Sequence, residues 1–268
     1  MNAVAEKICQ RLLAFCAHRI KVAHDIEGWA SKGISVCSFA WSASDALSVP
    51  LSHLDWRPWW EPDDEAQVLA ALKAVLEDEN VPKIGHNIGY EAFTWAWKYG
   101  IRIRGIGGDT MIKHAVLYPE LDKALDVCAS LYSKEPFWKD MGDTEDDLQL
   151  AKYNALDSMV CYEINEATEP LMSIDQRAFY RHQLALLDPV LDMELHGIRY
   201  DSAARDAMVA QVNREVFALQ GELDTLAGIA PPRFKEVAEA VAFKKKLDQC
   251  VDWSDLLKYA KPSFRQPL

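Results

Sequence analysis

Three short acidic segments set the chemistry open to this chain: Asp25-Ile26-Glu27, Asn87-Ile88-Gly89-Tyr90-Glu91 and Tyr153-Asn154-Ala155-Leu156-Asp157. Carboxylates are hard, anionic oxygen donors of the kind that hold Mg²⁺ or Mn²⁺. Asp25 and Glu27 stand two apart in a stretch that reads as a strand, so both project from one face and can share one ion while Ile26 turns to the core. Tyr153 and Asp157 are four apart on a predicted helix, one turn from each other on one surface. There a carboxylate can hold a cation while a neutral phenol hydrogen-bonds a water. Glu91 follows the expected helix cap Asn87 by one turn. Each piece alone has an ordinary reading: two acids at a strand end, a solvated acid beside a packing tyrosine, and an acid favoured at a helix start by the dipole. Together, four acids and one tyrosine have the makings of a site for two divalent cations.

Periodicity supplies the elements that must position them. Residues 2 to 18 read as a helix with Val4, Ile8, Leu12 and Phe15 near one face. A strand from Ile20 to Glu27 is joined through Gly28 to Lys32 to a hairpin partner, Gly33 to Trp41, and a third strand is expected around Ala46 to Pro50. A loop rich in Trp and Pro precedes an acidic helix start at Asp63 and Asp64 that continues to about Glu79. Val81 to Gly85 reads as a short buried strand, Asn87 as the cap of a helix from Ile88 to Tyr99, and Ile101 to Ile106 as another strand. Asp109 sits where a cap belongs before a helix from Met111 to Leu117. Helices over Lys123 to Leu131 and Asp146 to Ala167 flank a polar loop from Ser133 to Thr144, and beyond Pro170 the pattern is helical apart from a break at Gly197 to Asp201. The expectation is an α/β fold, a mixed sheet covered by helices on both sides. The expected organisation is an N-terminal helix (1–18), a catalytic domain (19–170) and a helical extension (171–268).

Half of the 268 residues are hydrophobic, enough for a sizeable core, and the formal net charge is -12. That charge argues against a wide basic face that grips duplex DNA, but not against an acidic metal site whose bound ions supply the positive field. The six cysteines form no C-x-x-C pair and no Cys/His cluster with zinc spacing. No apolar run suits a signal peptide or a membrane span, so the chain is read as soluble and cytoplasmic, in a bacterial or phage-infected cell, with no membrane partner. His24 and His86, each beside an acidic segment, read first as packing or hydrogen-bonding residues. Trp56, Trp59 and Trp60 read as loop or core packing rather than as base-stacking groups. The more basic last segment, from Arg233 to Arg265, reads as a solvated helical tail or as a contact for DNA or another protein.

The three segments in this order resemble the tyrosine-bearing branch of the DEDD exonuclease superfamily, and within it the proofreading domain of bacteriophage-type family A DNA polymerases. The stretches Gly108 to Leu121, Lys123 to Asp126 and Ser130 to Asp140 look like that family between its second and third motifs. Leu187 to Asp201 is similar to its connector towards a polymerase thumb, and the resemblance covers about residues 19 to 225.

The resemblance implies an RNase H-like exonuclease fold and a 3′→5′ DNA exonuclease that uses two divalent cations, Mg²⁺ or Mn²⁺, to release nucleoside 5′-monophosphates from single-stranded or frayed 3′ ends. It implies that Asp25 bridges both ions, that Glu27 and Asp157 complete the site of the ion that activates water, and that Tyr153 orients that water. Asn87 matches an asparagine that touches the substrate backbone. Glu91 departs from the pattern, which has Asp there; the extra methylene on a ligand that commonly acts through water implies retained activity with altered metal preference. Palm and fingers motifs are missing after residue 201, so no DNA synthesis is expected; a separate polymerase chain is a candidate partner. The alternatives are an RNase D-like 3′ exoribonuclease and a non-catalytic module that binds nucleic acid or a polymerase.

Overall fold

The computed structural model describes residues 2–29 and 31–227; the basic segment from Arg233 to Arg265 and Cys250 lie outside the described residues. Five strands form one mixed sheet: β1 (Val22–Trp29), β2 (Gly33–Ala40), β3 (Ala46–Pro50), β4 (Lys83–Gly85) and β5 (Ile106–Asp109), in the order β3-β2-β1-β4-β5. β1 pairs antiparallel with β2 and β2 with β3, whereas β4 runs parallel to both β1 and β5. The hairpins come from short turns, and the parallel pairs need the helical crossovers α2 (Pro62–Glu77) and α3 (Ile88–Thr94).

Strand alternation divides the sheet into two working faces. Val22 and Ile26 point into the main core with Ile8, Leu12 and Phe15 of α1 (Ala3–His18) and with Val68, Leu72 and Val75 of α2. On α1 the fourth core position is Ala5; Val4 is 57% exposed, so the apolar stripe lies one residue from where it was expected. The opposite face carries Ala23, Asp25 and Glu27 and is covered by α6 (Asp147–Thr168). Ala23 packs with its cross-strand partner Ala40, Ile84 and Cys161 of α6 in a small, fully enclosed cluster. These short side chains let the helix approach closely enough for Ser38 Oγ to donate to the Asn154 carbonyl at 2.8 Å and to meet Ser158 Oγ at 2.6 Å.

β1 ends in a bulge between Glu27 and Gly28. Gly28 has φ +156°, and a Cβ there would lie 2.3 Å from the Gly33 carbonyl oxygen, so the turn after Glu27 requires glycine. α3 begins at Asn87, as expected, but Asn87 is in the left-handed region (φ 66°) and its side chain accepts no cap bond. Asp109 supplies the cap from the end of β5: its Oδ2 accepts from Ile88 N at 2.8 Å and its Oδ1 from Ile112 N at 2.9 Å, at the start of α4 (Thr110–Leu117). One carboxylate therefore caps two helices. The helix expected to run to Tyr99 widens into a π-turn over Trp95–Tyr99, from which buried Trp95 donates to His24 Nε2 at 2.9 Å.

Residues 101–105 are not the strand their alternation suggests. Ile101 and Ile103 are buried, but Ile101 N donates to the Trp95 carbonyl and Arg104 N to that of Leu76, so the segment's backbone is bound to helix ends and the ladder starts only at Ile106. α5 (Leu125–Tyr132) and a 3₁₀ turn (Lys139–Gly142) precede α6; the expected polar loop therefore carries a structured turn and a buried tryptophan, Trp138. α7 (Ile174–Ala185) and α8 (Leu187–His196) complete a compact unit that ends at Gly197. A second unit begins at Ile198, and its described part holds α9 (Ser202–Leu226), capped by Asp201. The first unit has the expected α/β architecture of an RNase H-like fold, a mixed sheet covered by helices.

Because Asp109 is buried and accepts both bonds, Asp109→Ala should cost about 2–4 kcal/mol in urea unfolding, the sum of two lost caps with donors left unpaired. Asp109→Asn, which keeps one acceptor oxygen, should lose roughly half of that. An unchanged midpoint for the Ala variant would contradict the double-cap assignment.

Candidate active site

The two-residue spacing of Asp25 and Glu27 places both carboxylates on the α6 side of β1, and the third turn of α6 meets them with Asp157. One carboxylate oxygen from each of the three residues lies within 4.8 Å of the others. Asp25 is fixed from α6 itself: Asn154 Nδ2 donates to its Oδ2 at 2.6 Å. Asn154 is fully buried, and its carbonyl is the one held by Ser38 Oγ. Strand and helix are thus fastened to each other at the site.

Glu91, in the first turn of α3, is 4% exposed, and its Oε2 has no hydrogen-bond partner among the described residues. It stands outside the group of three; burial, then the charges of Asp109 and Glu27, hold it well above the usual carboxylate range, and its own charge raises Asp25. Tyr153, one turn before Asp157, is half-buried; burial and the Asp157 charge hold its phenol up at about 12, so it is neutral at physiological pH. Asn87 is exposed at the head of α3.

Burial and then crowding set the electrostatics. Asp25 is raised well above the usual carboxylate range by burial and then by Asp157, Glu91 and Glu27. Glu27 is pushed up to about 7 by burial and by Asp157. Burial also raises Asp157, though Lys139 pulls back. Lys139, which the sequence reading assigned no role, donates from Nζ to Asp157 Oδ1 at 2.8 Å, to Asp157 Oδ2 at 3.0 Å and to Tyr153 Oη at 2.9 Å. Trp138 Nε1 donates to Asp157 Oδ1 at 2.6 Å.

The two histidines are structural. His24 is enclosed between Phe39 and Trp95, with Nδ1 at the Ser38 carbonyl and Nε2 accepting from Trp95, and burial holds it down at about 4. His86 bridges Thr110 Oγ1 and the Lys123 carbonyl and is likewise lowered to about 4 by burial. Trp60 is buried with Nε1 bound to the Pro50 carbonyl, and Trp59 packs on His53, in keeping with packing roles. The five cysteines of the described residues are free. No helix among the described residues is long and apolar enough to cross a membrane.

Three hard oxygen donors in mutual reach, plus a buried glutamate oxygen without a partner, fit one or more divalent cations. The elevated pKa values come first from burial of the carboxylates and then, at Asp25, Glu27 and Glu91, from the neighbouring negative charge.

No protein-family model matches the chain. Among solved structures, the POL domain of Pol1 from M. smegmatis in complex with DNA primer-template and dNTP superposes with a TM-score of 0.59 at 16% identity, over 82% of this chain and 36% of that one. The catalytic core of RRP6 from Trypanosoma brucei gives 0.52 at 14% identity, over 68% and 49%. NrnC of Brucella melitensis with bound Mg²⁺ gives 0.51 at 17% identity, over 66% and 86%. The chain thus spans about a third of the length of the mycobacterial structure and most of that of NrnC. At these identities the likeness is one of fold.

Burial and the Asp157 charge also set a pH dependence. Between the ordinary glutamate value of 4.5 and about 7, folded Glu27 holds a proton that the unfolded chain has released. Its contribution to stability is therefore complete below 4.5 and is lost as pH rises through 7. In EDTA, Glu27→Gln should be more stable than the parent by a margin that widens from pH 5 to pH 8, to on the order of 2 kcal/mol. Saturating Mn²⁺ should close the gap by stabilising the parent. A margin that stays constant with pH would refute strong crowding at Glu27.

Proposed function

We propose that the chain is a metal-dependent 3′→5′ exonuclease acting on single-stranded or frayed DNA ends and releasing nucleoside 5′-monophosphates. The observation that carries this reading is the convergence of Asp25, Glu27 and Asp157, with the buried, unpartnered Glu91 Oε2 beside them, on a fold shared with the structures described above. Mg²⁺ in a protein of the same fold, NrnC, supports the choice of cation.

Asp25, Glu27 and Asp157, with Glu91, would hold two divalent ions, Mg²⁺ or Mn²⁺. When bound, the ions supply Lewis-acid charge that activates water and stabilises the departing 3′ oxygen. The chain's own residues hold and orient. Asn154 fixes the Asp25 carboxylate from α6, so the ligands of strand and helix keep their spacing. Tyr153 Oη accepts its bond from Lys139, which leaves the phenol proton free to hydrogen-bond a water beside Asp157. In the net reaction a water oxygen bonds to phosphorus, the P–O3′ bond breaks and the 3′ oxygen takes up a proton. No covalent enzyme intermediate is needed. Asn87, exposed at the start of α3, would touch the backbone of the nucleic-acid strand.

The test uses labelled single-stranded DNA, 3′-mismatched duplex and RNA, each with Mg²⁺, Mn²⁺ or EDTA. The expected result is shortening from the 3′ end with either ion and none in EDTA, with single-stranded and frayed DNA cut faster than paired ends. Faster attack on RNA would move the reading to a 3′ exoribonuclease, and binding without cleavage would leave a nucleic-acid-binding module. Metal-independent cutting, or products from the 5′ end, would overturn it.

Asp25→Ala and Asp157→Ala should each cost about 4 kcal/mol or more of transition-state stabilisation, on the order of a thousandfold in rate, and should still fold. Glu91→Asp should keep its rate within about tenfold, while Glu91→Ala should lose far more and recover partly in Mn²⁺. Full activity of the Ala variant in Mg²⁺ would remove Glu91 from the site.

A further inference from the structure

Lys139 occupies an unusual place for a cation in a candidate metal site. It lies in the 3₁₀ turn between α5 and α6, and its ammonium spends all three of its hydrogens on site atoms: both oxygens of Asp157, at 2.8 and 3.0 Å, and Tyr153 Oη at 2.9 Å. The ammonium also lies against two rings, with Nζ 5.3 Å from the centre of the Trp138 ring and 5.0 Å from that of Tyr153. The turn is seated as well: Trp138 is buried and bonded to Asp157, and a Cβ at Gly142 would come within 3.0 Å of the Tyr153 ring. Among the described residues, Lys139 is the one cationic side chain within ion-pair distance of the acids of the site.

Resting on the proposed cation site, we propose that Lys139 is an internal counter-charge that sets the affinity of that site for divalent cations. Two routes are open to an ion that takes an oxygen of Asp157. Either the ammonium leaves, and three hydrogen bonds and an ion pair are lost, or it stays, and a monovalent and a divalent cation share one carboxylate. Both weaken binding, the first by exchange and the second by repulsion between like charges. The carboxylate is already heavily used, since Oδ1 accepts from both Trp138 and Lys139. Lys139 therefore raises the cation concentration at which the site fills, while keeping Asp157 and Tyr153 aligned when it is empty.

The test is cation binding by the full-length protein without nucleic acid: calorimetric titration with Mg²⁺ and Mn²⁺, checked by electron paramagnetic resonance of free Mn²⁺. Lys139→Met keeps the length and removes the charge; Lys139→Gln is a second neutral variant should Met disturb the turn; Lys139→Arg keeps the charge. The neutral variants should bind Mn²⁺ at least about tenfold more tightly than the parent, and the Arg variant should stay near the parent. Equal or weaker binding by properly folded neutral variants would overturn the inference, as would an Arg variant that binds as tightly as they do. Asp157→Asn separates this from failure of the site itself. If Asp157→Asn weakens binding while Lys139→Met leaves it unchanged, the cation site stands and the role of Lys139 falls. If no form binds a cation, both fall.

Discussion

Like charges crowded into a partly buried pocket are the constraint on which the rest of this structure turns. Burial raises the pKa of Asp25, Glu27, Asp157 and Glu91, and the neighbouring acids raise those of Asp25, Glu27 and Glu91 further. Such a cluster costs stability unless something holds it together. The holding is done by groups that are not acids. Small residues on β1 and β2 let α6 approach, Ser38 and Asn154 bind the helix to the sheet and to Asp25, and Asp109 anchors the start of the helix that carries Glu91. The acids are where they are because a packed sheet, a close helix and a double cap leave them nowhere else to go.

The distribution of charge gives this arrangement its sense. A chain with a formal net charge of -12 has little electrostatic attraction for a polyanion as a whole. In the proposed reading a phosphate is met locally, through cations held at the acids, where Lys139 is the protein's own ion-pair partner of Asp157. Solved structures of the same fold span a polymerase domain with DNA, a catalytic core and a Mg²⁺-bound protein.

What was legible in the sequence is what periodicity fixes. Alternation put Asp25 and Glu27 on one face and Ile26 in the core, and helical spacing set Tyr153 one turn from Asp157; the boundaries of β3 and α1 also follow from pattern. The same reasoning misled at Ile101 to Ile106, where alternation reflects burial while the backbone bonds go to helix ends. It also could not assign the cap of α3, because the capping carboxylate comes from Asp109, 21 residues away. Lys139 and Trp138 were invisible as site residues for a related reason. They lie in an aperiodic connection, and only the fold brings that connection back over Asp157. The available signal was a lysine and a tryptophan in a polar loop shortly before the third acidic segment, too common a pattern to stand out alone.

If this cluster of carboxylates is a cation site and not a repulsive surface feature, Mn²⁺ binds among them. Anomalous diffraction from crystals grown with Mn²⁺ tests it most directly, because manganese is located without reference to activity or substrate. The account predicts a strong anomalous peak in contact with Asp25, Glu27 and Asp157, with any second ion on the Asp25 and Glu91 side. Crystals saturated with Mn²⁺ that show no peak among these residues, or peaks only elsewhere on the molecule, would contradict it.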